Sequence, residues 1–271
     1  MVFEQLFSAD WIEKKPLFAF IIGISYSLLG IMSALIIFPN DIGIASLAFT
    51  SLLILPSLNQ LLTLEENVEI RENKLSLKLL FKDHKDIFEV YIFLFFGIFL
   101  TYSFLTLVLP DLAVKTFFST QLSVMNTTGQ AIWFNSVFFW QILSNNFIVL
   151  FLCIVLSFLY GAGSILFLVW NASAWGSIFA QLAKQTADVT GQNHFIFFIS
   201  LIAKVFPHTF LEALSYFFAI IAGGVISKAI LREKFSSARF NHVLTDGLIF
   251  FGIAIAVLII GAIIEVFVYS G

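Results

Sequence analysis

The sequence predicts an all-α fold, a polytopic helical membrane protein with about seven transmembrane helices, interfacial or re-entrant helices and one Pro-broken helix. Three observations carry that reading. Hydrophobic residues make up 60% of 271 positions and charged residues 11%, with a mean hydropathy of +1.00, a balance that a water-facing surface cannot sustain. Uncharged apolar runs recur near the length of about 20 residues that a helix needs to cross hydrocarbon with every backbone amide paired inside it. Lysine and arginine gather in a few of the intervening loops, as they do on the cytoplasmic side of membranes.

Taken in order, Met1 to Pro16 carries Glu4, Asp10, Glu13, Lys14 and Lys15 without a small-residue cleavage site and does not read as a signal peptide. Leu17 to Phe38 is the first span; Asn40 and Asp41 turn the chain into a second, Ile42 to Thr63, in which Pro56 is a kink point. Residues 1–63 are thus expected to be an N-terminal helical hairpin. Residues 64–86 alternate charges with leucines as a charged cytoplasmic connector, and residues 87–271 form a five-span core. The core opens with Ile87 to Leu109, ended by Pro110.

Thr116 to Ala183 then runs for 68 residues without Asp, Glu, Lys, Arg or His. Its first half is interrupted by Gln121, Ser123, Asn126, Gln130, Asn135 and Gln141 beside Trp133 and Trp140, a mixture suited to interfacial or re-entrant helices rather than a crossing. Its second half reads as a short span from Asn146 to Tyr160, a break at Gly161 and Gly163, and a further span to about Ala183. A sixth span, from Phe195 to Ser227, is interrupted by Pro207, and Gly247 to Ile264 is the seventh. Seven crossings with the N-terminus inside put eleven of the fourteen basic residues on the cytoplasmic side: Lys14, Lys15, Arg71, Lys74, Lys78, Lys82, Lys85, Lys228, Arg232, Lys234 and Arg239. The expected location is the plasma membrane, with the N-terminus cytoplasmic and the C-terminus outside.

Composition also excludes functions. A net charge of -3 spread over short loops offers no basic face for nucleic acid. The single cysteine, Cys153, rules out an internal disulfide framework and a multi-thiolate metal cluster. No Walker sequence, dinucleotide fingerprint, nucleophile elbow or HExxH motif occurs, so no catalytic residue, cofactor or metal is assigned.

What remains is polar chemistry at membrane depth, where such groups are costly and raise a functional hypothesis. Lys204, His208 and Glu212 follow one another at four-residue spacing around Pro207, which places them on one helical face. Pro207 disfavours helix at Phe206, so His208 is expected to start a half-helix whose freed amides face a polar cavity. Two readings stand beside each other. The three side chains neutralise one another and lock the broken helix, or they bind a small-molecule ligand or ion. A metal is disfavoured, since two ligands from one helix do not complete a site. Asn145, Asn146 and Asn171 form a second polar group, able to join helices by carboxamide hydrogen bonds or to touch a substrate. Gly161, Gly163, Gly223 and Gly224 are expected to serve as hinges or close-packing points, as is Pro207. Glu265, near the end of the last span, is open to contact with water or a partner cation, and Asp246 lies near the start of the same span.

The ordered set Asn145-Asn146, Phe158-Leu159-Tyr160-Gly161-Ala162-Gly163, Trp170-Asn171-Ala172-Ser173, Pro207-His208 with Glu212, and Ala222-Gly223-Gly224 resembles the stage II sporulation protein M family, its archaeal members most closely. The resemblance runs from about Leu79 to the C-terminus. The family commonly has glycine after the histidine, where this chain has Thr209, and often arginine where it has Lys204. The bacterial founder is a membrane component of the sporulation engulfment machinery. It works with peptidoglycan-degrading partners and has no recognised catalytic site. The resemblance therefore implies a non-enzymatic scaffold or complex subunit in the bilayer, with a protein partner or a second copy of itself. A transporter or channel is the alternative that the Lys204, His208 and Glu212 cluster suggests.

Overall fold

A computed structural model describes residues 17–69, 85–123 and 136–270. Among these the chain is helical, with no strand. Helices α1 (Leu17–Ile37) and α2 (Ile42–Glu69) form the hairpin that Asn40 and Asp41 were expected to turn. Helix α3 (Lys85–Val108) is followed by two short helices, α4 (Asp111–Phe117) and α5 (Ser119–Ser123). After residues 124–135, which lie outside the described residues together with the Asn126 sequon and Trp133, come α6 (Ser136–Tyr160) and a 3-10 turn at Gly161–Ser164. The chain then continues through α7 (Ile165–Thr190), α8 (His194–Arg232) and α9 (Ala238–Ser270).

Among the described residues, six stretches are long and apolar enough to cross a membrane: Leu17–Ile37, Lys85–Val108, Phe139–Tyr160, Ile165–Thr190, His194–Ser227 and Ala238–Phe267. Ile42–Leu58 is a shorter apolar helix at the place of the expected second span. The protein is a multi-pass helical membrane protein, and the bilayer is its environment.

Two sequence expectations are corrected. Helix α8 runs through Pro207 as one 39-residue helix, so His208 does not begin a half-helix. Proline deprives the helix of one amide donor, but it is tolerated in membrane helices where neighbouring turns and hydroxyl side chains hold the geometry. Here Thr209 Oγ1 donates to the Val205 carbonyl in the affected turn at 2.9 Å. Helix α6 begins at Ser136 rather than Asn146, so Asn145 and Asn146 lie within a helix instead of opening one. Gln141, Ser144 and Asn145 are exposed, and an outward-facing polar side chain does not interrupt backbone pairing. The break at Gly161 is present: its φ is +57°, a left-handed conformation costly for residues with a side chain. Gly163 lies in the same 3-10 turn.

The helices gather into two compact units, one holding residues 1–129 with 165–201, the other 130–164 with 202–271. In the first, α1 packs on α2 and α3, and α7 packs on α3 and α2. Helices α1 and α3 cross at glycines. A Cβ on Gly23 would lie 2.7 Å from the Leu94 carbonyl oxygen, and one on Gly97 would collide with the Phe20 carbonyl. Small residues at a crossing let backbones approach closely where lipid offers no hydrophobic drive. Helices α3 and α7 run parallel, since Gly176 lies against Phe99 while Lys184, further along α7, reaches the Leu109 carbonyl at the end of α3. Helix α5 packs at the start of α2, where Gln121 Nε2 donates to the Gly43 carbonyl at 3.2 Å. The short α4 and α5 fit the interfacial reading of the first part of the uncharged stretch.

In the second unit, α6 and α8 run parallel and α9 antiparallel to α8. Asn146 meets Glu212 and Ser157 meets Ile220 between α6 and α8. Gly261 lies against His208 and Leu211, and Gly247 against Ile226, between α9 and α8. Gly223 permits the α6 contact, because a Cβ there would lie 2.5 Å from the Ile154 carbonyl. Gly224 meets Ser157 only at ordinary distance, 3.6 Å.

Candidate functional site

The polar cluster of the second unit is built from three helices. Glu212 of α8 is 7% exposed, and its Oε1 accepts a 2.5 Å hydrogen bond from Asn146 Nδ2 of α6. Glu265 of α9 brings its carboxyl within hydrogen-bonding reach of Glu212. Glu265 Oε2 is sealed from solvent and has no hydrogen-bond partner. Gly261, one turn before Glu265, lies beside this contact, where a Cβ would stand at ordinary van der Waals distance, 3.7 Å from Glu212 Cγ and 3.6 Å from the His208 carbonyl. His208 is buried one turn before Glu212, and Ser215 Oγ donates to the Glu212 carbonyl at 2.7 Å. Tyr216, also buried, lies within electrostatic range of both carboxyls and of Cys153.

A hydrogen bond between two carboxyl groups needs a proton between their oxygens. The Asn146 carboxamide orients Glu212 but brings no charge.

The sequence-based candidates divide. His208, Glu212 and Asn146 come together. Lys204 is exposed and is not among the groups acting on Glu212. Asn145 is exposed on α6. Asn171 belongs to the first unit, where its Nδ2 donates to the Phe167 carbonyl of its own helix at 2.8 Å. Glu265 is the residue whose role sequence reasoning missed. Its charge inside an apolar run was the available signal, but no spacing rule links α9 to α8.

A second polar feature lies in the first unit. Lys184 Nζ donates to the Leu109 carbonyl at 2.7 Å and pairs with Asp111 Oδ1 at 2.8 Å, which satisfies the open C-terminus of α3. The hydrogen bond from Lys184, with its charge, holds the Asp111 carboxyl below the usual carboxylate range. His194 Nε2 and Asp188 Oδ1, 2.6 Å apart, close the turn between α7 and α8. Among the described residues, no group of three or more His, Cys, Asp or Glu side chains is arranged to hold a metal ion.

The family model for Stage II sporulation protein M matches residues 90–269, more than half of the chain, and includes Asn146, Glu212 and Glu265. No curated protein and no solved structure matches the chain.

Proposed function

Because the chain belongs to the stage II sporulation protein M family, we propose that it is a non-enzymatic membrane scaffold or complex subunit, working in assembly or membrane remodelling. One observation carries this reading. The span in α6 is only 17% buried, against 67% for that in α3, and it turns Phe147, Ile148, Phe151, Leu152 and Leu159 outward. Such a helix presents its surface to lipid or to another membrane protein. Catalysis is no part of the proposal, since the partners of Glu212 are a carboxamide and a second carboxyl rather than a nucleophile. Purification in mild detergent with chemical cross-linking tests it: a stoichiometric partner or a second copy is expected, and a lone monomer counts against it.

The proposed setting is the plasma membrane, with the N-terminus cytoplasmic and the C-terminus outside. Loop charge supports this orientation, while the helix directions agree with the order of crossings. Seven crossings make α3 and α7 cross in the same sense, as do α6 and α8, with α9 opposed to α8, matching the directions seen within each unit. A C-terminal reporter active only in the cytoplasm would defeat this orientation. The archaeal type is also proposed, supported by the hairpin that precedes the matched residues.

The convergence of Asn146, Glu212 and Glu265 favours a second reading, a transporter or channel using this cluster. Liposome flux that is lost in Glu212→Ala with the fold retained supports it. No flux over a broad solute panel removes it.

A further inference from the structure

We infer that the seam of the first unit where α3, α5 and α7 meet α2 binds ordered water, held by Thr106, Gln121, Ser177 and Gln181. The inference is independent of the proposed function, because none of these residues belongs to the Asn146, Glu212 and Glu265 cluster. Hydroxyl side chains inside helices can donate to a carbonyl one turn back. Thr101 and Ser103 of α3 do so, as do Ser173, Thr186 and Thr190 of α7. Thr106 Oγ1 and Ser177 Oγ, on the same two helices, do not. Both are sealed from solvent and have no hydrogen-bond partner among the described residues, and the carboxamide oxygens of Gln121 and Gln181 share that condition. Thr106, Gln121 and Ser177 are 0% exposed and Gln181 is 3% exposed.

Their places in the fold converge. Along the parallel α3 and α7, Gly176 lies against Ser103 and Lys184 reaches the Leu109 carbonyl, which puts Gln181 at the level of Thr106. Ser177 lies one turn before Gln181 on the same face of α7. Thr106 lies one turn beyond both Tyr102 and Ser103. Ser103 faces α7, whereas Tyr102 faces α2 and the start of α5, with its hydroxyl on Ser46 and its ring beside Phe118. Thr106 therefore looks into the seam between those helices. Gln121 enters from the other side. Its Nε2 and Ser46 Oγ both donate to the Gly43 carbonyl, which commits the nitrogen and leaves the oxygen free, and α5 packs on α7.

Two carboxamide oxygens need donors, and two hydroxyls can both donate and accept. Water supplies two donors and two acceptors, and buried waters typically join about three such groups. Lys184, three residues beyond Gln181, directs its charge to the Leu109 carbonyl and Asp111, so a neutral ligand suits the seam.

The test uses the full chain in lipid nanodiscs with isotope-labelled glutamine. Nuclear magnetic resonance should show magnetisation passing from water to the side-chain amides of Gln121 and Gln181, and Thr106→Val, which keeps the side-chain shape, should reduce that transfer at both. Thermal unfolding then separates a hydrated seam from a dry one. If water joins these groups, Thr106→Val and Gln181→Met each lower the midpoint, and the double variant loses less than the sum of the two, because both act on one network. If the seam is dry, removing a buried polar group that lacks a partner leaves the midpoint unchanged or raises it. That result overturns the inference, as does the absence of transfer to Gln121 and Gln181 in the wild type, or transfer that persists undiminished in Thr106→Val. A wild-type midpoint raised by sodium or potassium chloride over choline chloride, with the difference lost in Thr106→Val, would identify a cation in the seam and overturn the assignment to water.

Discussion

Gly97→Ala is expected to weaken the α1 and α3 crossing out of proportion to its size. The added Cβ would collide with the Phe20 carbonyl and stand 3.1 Å from both Gly23 Cα and Ile24 N, all backbone atoms. No rotamer change relieves such a contact, so the helices have to separate until the methyl reaches ordinary van der Waals distance. A gap of 0.5–1 Å forfeits roughly a quarter to a half of each dispersion contact along the crossing. Overpacking of this kind costs about 1–3 kcal/mol. Alanine's better helix propensity returns less than about 1 kcal/mol of that. Gly252→Ala in α9 is the control, since nothing lies within 4 Å of a Cβ placed there, and its stability should hold or rise. Reversible unfolding in mixed micelles, followed by tryptophan fluorescence, compares the two. The double variant Gly23→Ala with Gly97→Ala should lose less than the sum of the singles, because one separation relieves both clashes. Equal midpoints for Gly97→Ala and Gly252→Ala would refute the reasoning.

Three further outcomes follow from the geometry. Asn146→Ala leaves Glu212 Oε1 without its donor and should destabilise by about 1–3 kcal/mol; an unchanged unfolding midpoint would show that the contact does not support the fold. Pro207→Ala restores an amide to a helix that is already continuous, so it should be neutral or stabilising by up to about 3 kcal/mol, whereas loss of folding would mean that the proline is required. Because the folded Asp111 carboxyl titrates below its unfolded value, its pair with Lys184 contributes fully above the ordinary carboxylate range and is lost as pH falls through the folded value. Its side chain is 55% exposed, so the effect is under about 1 kcal/mol; Lys184→Met should flatten that acid-side dependence, and an unaltered pH profile speaks against it.

The spans were legible in the sequence because the bilayer imposes a length and forbids unpaired backbone, two constraints that act locally along the chain. For the same reason the turn at Asn40 and Asp41 and the left-handed Gly161 were visible as residue types. Local rules misled where tertiary context outweighed them. Pro207 suggested a break that its surroundings absorb, and Asn145 and Asn146 suggested a helix start where they lie within a longer helix. His208 and Glu212 were found by their four-residue spacing, yet Lys204, at the same spacing, points away from the contact.

That the chain is a multi-pass helical membrane protein was determined by composition and run length alone. What meets inside was decided by tertiary structure. Asn146, Glu212 and Glu265 lie on three different helices, and only the packing of α6, α8 and α9, set by close contacts such as Gly223 on Ile154, brings an amide and two carboxyls together. Sequence spacing describes one helix face; it carries no information about which faces of distant helices will touch.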